Sequence, residues 1–213
     1  MEDLFRKSLA GLLCLVFAQI AAVVMLFSPD HVREAVREEG AAIQCVLGAD
    51  TADAVFDQAG RAYGRIFKDS GLEGRLLNVF SDIDRVDDGS GFLARLFRPV
   101  RPFLSDWIQT FLLTGYLFLL RLSLAAMWSI PAAALAVASL AHGFLARRIA
   151  QNNFDYVSPV RQKGALLMTL GAAYLMVVLF VLPVALSPYA VAAGMLFSAL
   201  TAGSLVRHLH KRL

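Results

Sequence analysis

Long runs without charged residues are the feature of this sequence that most restricts its fold. Residues 8–27, about 108–145 and 164–206 are nearly free of Asp, Glu, Lys and Arg, whereas residues 28–106 hold most of the acids and bases. A helix needs roughly 20 apolar residues to cross the hydrocarbon of a bilayer. With 58% of residues hydrophobic and 17% charged, the chain is too apolar for a typical soluble protein. We therefore expect an all-α, polytopic membrane protein with about four transmembrane helices and a small helical insert.

The first apolar run, residues 8–27, is predicted to be a retained transmembrane anchor. A cleaved signal peptide is the alternative, because Arg6 and Lys7 precede the run. The run is long for a signal peptide, however, and the sequence Phe27-Ser28-Pro29 is a poor cleavage site because it lacks the small residues that such sites require.

The second apolar run, residues 107–145, contains no cluster of Gly, Pro or Asn wide enough for a turn. It is therefore predicted to form one long helix rather than a hairpin. A guanidinium at the bilayer centre costs several kcal/mol, so Arg121 is expected near the outer interface, with residues 122–145 crossing the bilayer. Pro131 would then kink the span.

The last two spans are predicted at residues 164–186 and 189–206, joined by a short link that contains Pro183 and Pro188. Basic residues flank the four spans at one end each: Arg6 and Lys7, Arg147 and Arg148, Arg161 and Lys163, and Arg207, Lys211 and Arg212. All four clusters fall on one face only if there are four spans, as the positive-inside rule requires. The sequence thus predicts a multi-pass protein of a bacterial inner (cytoplasmic) membrane with both termini cytoplasmic.

This topology divides the chain into three parts. Residues 1–27 form the anchor, residues 28–106 an extracytoplasmic helical insert, and residues 107–213 a three-span membrane domain whose loop, residues 146–163, is cytoplasmic. Cys14 would lie in the membrane and Cys45 in the insert, so both are expected to be free thiols, although an intermolecular disulfide through Cys45 remains an alternative.

Three helices are predicted in the insert. Ser28 and Pro29 provide an N-cap and a first helical residue, and Gly48 a stop. A second helix begins at Asp50 or Thr51, and a third is suggested by apolar residues between Leu72 and Ile83. The second helix has an apolar face at helical spacing: Val55, Phe56, Ala59, Tyr63, Ile66 and Phe67. Residues 91–103 form either a helix at the membrane surface or a fourth helix docked on the insert.

Part of the sequence resembles a known family, the integrating conjugative element membrane proteins, which carry a conserved domain of unknown function. The elements that carry the resemblance occur in a fixed order: Tyr63-Gly64-Arg65-Ile66-Phe67, Tyr116, Arg121-Leu122, Trp128, Pro131, Gly143, Arg147-Arg148-Ile149 and Phe154-x-Tyr156-x-Ser158-Pro159. Together they cover about half of the chain. The resemblance implies membership of the conjugative transfer machinery, a type IV secretion-like apparatus that moves DNA between bacteria, and it implies no enzymatic activity.

The leading hypothesis is therefore a non-catalytic membrane component that acts through protein contacts. Candidate interaction residues are Arg121, Arg147, Arg148, Phe154, Tyr156 and Arg161. Arg121 either pairs with an acid of the insert or reaches the outer interface; the loop is either a docking site or an ordinary basic loop. Expected partners are the bilayer, other membrane proteins of the apparatus and a possible second copy, without direct nucleic-acid binding.

No cofactor, metal or catalytic residue is predicted. His142, His208 and His210 lack an accompanying carboxylate, and no motif of nucleophilic catalysis is present in the sequence. The alternative function is a small transporter or channel subunit. That function would need polar residues along a path through the membrane, and the spans offer little beyond Gln19, Ser139 and Thr169.

Overall fold

Every regular element that the structure describes is a helix. The computed structural model of the chain describes residues 2–76, 78, 101–152 and 159–208. The elements are α1 (Glu2–Leu26), α2 (Pro29–Leu47), α3 (Ala49–Tyr63), a π-helix (Gly64–Lys68), α4 (Arg101–Met127), α5 (Ser129–Asn152), α6 (Pro159–Val181) and α7 (Pro188–His208). The predicted all-α fold class is confirmed.

Four helices are long and apolar enough to cross a membrane, which confirms the prediction of a polytopic helical protein with about four spans. They are Phe103–Met127, Ser129–Asn152, Val160–Val181 and Pro188–His208. The number becomes five if Cys14–Leu26 and Pro29–Leu47, which meet at an angle of 106°, are counted as one broken span. One difference from the sequence analysis is that Phe103–Met127 qualifies by length and composition, although its first part was expected outside the hydrocarbon.

The predicted start and end of α2 are confirmed. The backbone N–H of His31 donates to Ser28 Oγ over 3.3 Å, and Pro29 is the first helical residue. The helix ends at Gly48, whose φ of +80° favours glycine because it has no Cβ. The next helix, α3, then begins at Ala49, one residue before the predicted start.

Only part of the remaining insert is described. Residues 72–76 are helical, as expected for the third helix. The rest of that predicted helix and residues 91–100 of the predicted surface helix lie outside the described residues. Residues 101–103 form the first turn of α4.

The single long helix predicted over residues 107–145 is interrupted at Trp128. Pro131 has no N–H to donate to the carbonyl of Met127, and α4 ends at Met127. Helical hydrogen bonds continue on both sides, from Trp128 N to Leu124 O (3.3 Å) and from Ala132 N to Trp128 O (3.1 Å).

The described chain divides into two compact units. The first contains Met1–Ser123 and Phe180–Leu186, and the second contains Leu124–Leu179 and Ser187–Leu213. The domain boundaries at residues 27 and 106 follow the expected membrane surfaces rather than these packing units, and they stay a prediction.

In the first unit, α2 and α4 lie side by side and run in the same direction. Thr110 Oγ1 donates to the carbonyl of Phe27 over 3.3 Å at one end of the contact. Arg33 donates to the side chain of Gln109 over 2.9 Å. Further along both helices, Glu39 pairs with Arg121. Three helices, α2, α3 and α4, supply most of the buried apolar residues of this core, among them Val32, Ala35, Ile43, Ala52, Val55, Ala59, Ile108, Leu117 and Leu120.

The π-helix changes which residues of the α3 segment face the core. The N–H of Asp69 bonds to the carbonyl of Gly64, five residues earlier, over 2.9 Å. A π-turn contains more residues than an α-turn, so the residues after it are rotated about the helix axis. Phe67 is consequently 9% exposed and Ile66 50% exposed. The prediction that Ile66 belongs to the apolar face is wrong for this reason.

In the second unit, α7 contacts both α5 and α6. A Cβ at Gly203 would overlap the backbone of Ser139 in α5, and a Cβ at Gly143 would overlap the carbonyl of Gly203. A Cβ at Gly194 would lie 2.6 Å from the sulfur of Met176 in α6. The two helix pairs thus approach closely at glycines, as is common between membrane helices.

Candidate functional site

Arg121 is fully buried at the centre of the first unit. Its α4 neighbours Leu117, Leu120 and Leu124 are at most 1% exposed, and Glu39 of α2 is 1% exposed. Arg121 Nε donates to Glu39 Oε1 over 2.9 Å and Nη2 donates to Glu39 Oε2 over 2.7 Å. This is the two-point geometry in which a guanidinium and a carboxylate match best.

The same guanidinium also binds the linker between α6 and α7, residues 182–187. Nη1 donates to the carbonyl of Leu182 over 2.7 Å, and Nη2 donates to that of Val184 over 2.6 Å. Glu39 Oε2 accepts the N–H of Leu186 over 3.4 Å. Arg121, Glu39 and these linker groups are called the Arg121 cluster below.

Proline shapes the linker that the cluster holds. The N–H of Val184 bonds to the carbonyl of Leu182 over 2.9 Å, which closes a three-residue turn around the buried Pro183. Proline's fixed φ suits the centre of such a turn. Because the turn leaves the carbonyls of Leu182 and Val184 without helical donors, Arg121 supplies donors to both.

Burial of two charges is tolerable here because each is matched within the protein. An isolated buried charge would cost several kcal/mol, and a buried ion pair offsets this only with good geometry and further hydrogen bonds. The Arg121 cluster provides both the favourable geometry and the further hydrogen bonds. Its arrangement holds three segments that are distant in sequence, α2, α4 and the linker, in one conformation.

Arg121 was among the interaction residues predicted from the sequence, whereas Glu39 was not. Of the two alternatives for Arg121, pairing with an acid of the insert is what the structure shows, and the side chain is 0% exposed. Glu39 carried a signal of its own, since it shares one helical face with Val32, Ala35 and Ile43, all buried. An acid on an otherwise apolar face indicates a buried partner.

An aromatic cluster fixes the α3 segment against α4. The Tyr63 and Phe67 rings stack at 4.8 Å, and they meet Tyr116 and Phe111 edge-on at 5.9 and 6.4 Å. Gly115 makes room for the Phe67 ring, since a Cβ at this position would lie 2.7 Å from that ring. Burial, and secondarily the Glu73 carboxylate, raise the pKa of Tyr63 above its ordinary value, so its hydroxyl is neutral at physiological pH.

The other candidate interaction residues belong to the second unit. Arg147 and Arg148 lie near the end of α5, and Arg161 is exposed in the first turn of α6. The guanidinium of Arg148 lies over the Phe144 ring, 5.3 Å from its centroid. Phe154 and Tyr156 lie outside the described residues. A joint role of these candidate residues as a contact surface stays a prediction. They are Arg147, Arg148, Phe154, Tyr156 and Arg161.

Two of the polar residues considered for a transport path serve helix contacts instead. Thr169 Oγ1 lies 2.9 Å from the carbonyl of Ala165 and 3.1 Å from that of Thr201 in α7. Ser139 lies directly against Gly203. The amide of Gln19 is buried and has no hydrogen-bond partner among the described residues.

A protein-family model matches most of the chain. The model of a family described as IncC plasmid conjugative DNA transfer protein DtrJ-like matches residues 23–213. The chain belongs to the DtrJ-like family. No curated protein and no solved structure matches it. Membership of the DtrJ-like family confirms the resemblance to conjugative membrane proteins, and the match includes the whole Arg121 cluster but only the last residues of α1.

Proposed function

We propose that this DtrJ-like protein is a non-catalytic inner-membrane component of a conjugative, type IV secretion-like apparatus and acts through protein–protein contacts. The observation that carries the proposal is the family match over residues 23–213, because a DtrJ-like protein has a role in conjugative DNA transfer. No cofactor, metal or nucleic acid takes part directly in this role. Other membrane proteins of the apparatus are the proposed partners.

The proposed topology places the insert on the extracytoplasmic side and both termini in the cytoplasm. Basic residues at the end of α5, the start of α6 and the end of α7 support this orientation by the positive-inside rule. The outer faces of α2 and α3 expose many charges, among them Glu34, Glu38, Asp53 and Asp57, which require water. These charged faces favour an insert that projects from the bilayer.

The proposed contact surface is the cytoplasmic segment of residues 146–163. Arg148 and Arg161 are exposed, and Arg148 is oriented by its contact with Phe144. Arginine is enriched at protein interfaces because its planar group pairs with carboxylates and stacks on rings. An acidic surface on a cytoplasmic protein of the apparatus fits this segment. Arg121 is excluded from such a contact because its side chain is fully buried.

Mating experiments test both the proposed function and the proposed contact surface at residues 146–163. A donor strain that lacks the gene is expected to transfer DNA at a lower frequency, and the wild-type gene is expected to restore it. The variant Arg147→Ala/Arg148→Ala/Arg161→Ala should restore transfer poorly at normal protein levels. The matched control, Arg37→Ala/Arg65→Ala/Lys68→Ala, removes the same charge from exposed positions of the insert and should restore it fully.

The two possible failures have different meanings. Unchanged transfer from the deletion strain would overturn the proposed function. Full restoration by the triple arginine variant would overturn only the contact surface at residues 146–163.

A further inference from the structure

One face of α4 is apolar, aromatic and only partly covered within the first unit, where Phe111 contacts the Phe67 ring and Phe118 contacts the Phe180 ring. Phe103, Phe111, Phe118 and Leu122 are 60%, 37%, 39% and 47% exposed, and their spacing places them within one helix face. The opposite face carries Leu120 and Leu124, which are 1% and 0% exposed. A contiguous exposed apolar face of this kind indicates an interaction surface.

The geometry of the first unit orients this face relative to a bilayer. The helix α1 exposes Phe17, Met25 and Leu26, as a lipid-facing helix does, and α2 turns away from it by 106°. Three contacts keep α4 beside α2: Thr110 donates to the Phe27 carbonyl, Arg33 donates to Gln109, and Arg121 pairs with Glu39. With α1 crossing the bilayer, α2 and the adjoining part of α4 run along the membrane surface.

Burial argues against α4 itself crossing the hydrocarbon. In the most apolar part of α4 50% of residues are buried, compared with 11% in α5. The helices that cover α4 carry charges on their outer faces, such as Glu34 on α2 and Asp57 on α3. Moving this part of α4 into the hydrocarbon would therefore bring those charges with it, at several kcal/mol each.

We infer that the face formed by Phe103, Phe111, Phe118 and Leu122 lies in the interfacial layer of the bilayer on the extracytoplasmic side. Its occupant is lipid: the rings contact the boundary between headgroups and acyl chains, where aromatic side chains are enriched. Interfacial helices bury their apolar face about 5–10 Å into this boundary. This inference rests on the membrane location proposed above.

Tryptophan fluorescence in proteoliposomes tests the inference, because the chain contains only Trp107 and Trp128. In a background with both replaced by Phe, single variants Phe111→Trp and Phe118→Trp place a probe on the face. Val137→Trp on α5 is the hydrocarbon reference, and Ala54→Trp on the charged side of α3 is the aqueous control; both positions are exposed. Lipids brominated near the headgroup or near the chain ends act as quenchers at two depths.

Phe111→Trp and Phe118→Trp are expected to be quenched to similar extents, and more strongly by the shallow bromines than by the deep ones. Val137→Trp should show the reverse order, and Ala54→Trp no quenching by either lipid. If the two α4 probes behave like Ala54→Trp, the face is covered by water, a second copy or a partner, and the inference is wrong.

Deep quenching of either α4 probe would mean that α4 crosses the bilayer, which also overturns the inference. Absence of quenching in Val137→Trp would instead contradict the membrane location itself. Circular dichroism of each variant checks that helix content is unchanged.

Discussion

Arg121 and Glu39 are the residues whose chemistry most constrains this protein. A charged side chain among leucines is tolerated only when its donors are used, and Arg121 uses them on one carboxylate and two carbonyls. The geometry also makes Lys a poor replacement, because a single ammonium lacks the planar fork that reaches Glu39, Leu182 and Val184 together.

Loss of Arg121 should destabilise the protein strongly. Arg121→Ala leaves the Glu39 carboxylate buried without its partner, which costs about 3–5 kcal/mol in typical proteins. Chemical unfolding of the purified protein in detergent micelles measures the change. Arg37→Ala is the matched control, since it removes an exposed ion pair with Glu34 that is worth about 0–1 kcal/mol.

The double variant Arg121→Met/Glu39→Leu should recover part of the stability lost in Arg121→Ala, because it leaves no buried charge unpaired. Recovery should be incomplete, since the carbonyls of Leu182 and Val184 still lose their donors. Equal stability of Arg121→Ala and Arg37→Ala would contradict the structural role assigned to the cluster.

The sequence identified Arg121 as unusual but could not name its contacts. Glu39 lies 82 residues away and the linker about 60 residues away, and no local pattern links positions so distant. The apolar context of Arg121 was readable because it depends on adjacent residues. The choice between an internal partner and the membrane surface depended on tertiary packing.

At the scale of elements, the π-helix and the glycine contacts determine how the helices fit together. Element boundaries that depend on local chemistry, such as the Ser28 cap and the Gly48 stop, were predictable from sequence, whereas the break at Trp128 interrupts what was predicted as one helix. The π-helix was not predictable, because ordinary α-helical spacing places both Ile66 and Phe67 on the apolar face and gives no reason for Ile66 to turn outward. The pairing of Gly203 with Ser139 likewise depends on how α7 packs on α5.

Replacing Phe67 and its neighbour should have very different effects. Phe67→Ala removes a buried ring that stacks on Tyr63 and contacts Gly115, and such losses cost about 3–5 kcal/mol. Ile66 is half exposed, so Ile66→Ala should change the unfolding free energy by about 1 kcal/mol or less. If Ile66→Ala is the more harmful variant in unfolding experiments, the π-helical register is wrong.

A methyl group at Gly203 should separate α5 from α7. Gly203→Ala places a Cβ on the backbone of Ser139, and overpacking of this kind costs about 1–3 kcal/mol. Gly171→Ala in α6 is the control, because a Cβ there meets nothing within 4 Å. The control should be neutral or stabilising by about 0.5–1 kcal/mol, since Ala favours helix. Thermal unfolding in micelles distinguishes the two, and equal melting temperatures would contradict the close approach.

At the scale of the whole molecule, the charge-free runs made the fold class readable from the sequence. The number of spans followed from length and apolarity, which are properties of the chain alone. The exact set of spans could not be read from length and apolarity. The helix α4 is long and apolar enough to be a candidate span, although its inner face packs on helices with charged outer faces. The resemblance to conjugative membrane proteins rested on residues whose order, rather than chemistry, is characteristic, and the family model over residues 23–213 established membership.

Native cysteines provide a test of the proposed topology. Both thiols are free and exposed on the protein surface, but Cys14 faces lipid in the proposed arrangement and Cys45 faces the extracytoplasmic side. A maleimide that cannot cross the inner membrane should label intact spheroplasts at Cys45, because the reagent stays in the water outside that membrane. Cys45→Ala should abolish the labelling and Cys14→Ala should preserve it.

Labelling that requires disruption of the inner membrane would place the insert in the cytoplasm. That result would reverse the proposed orientation.

The Arg121 cluster also imposes an order on biogenesis. A ribosome produces Glu39 and Arg121 well before Leu182, Val184 and Leu186, so α2 and α4 can form their ion pair while two guanidinium acceptors are still missing. The insert therefore reaches its final conformation only after the polypeptide leading to the last helix has been synthesised. Premature termination anywhere upstream of residue 182 leaves Arg121 without both of those acceptors.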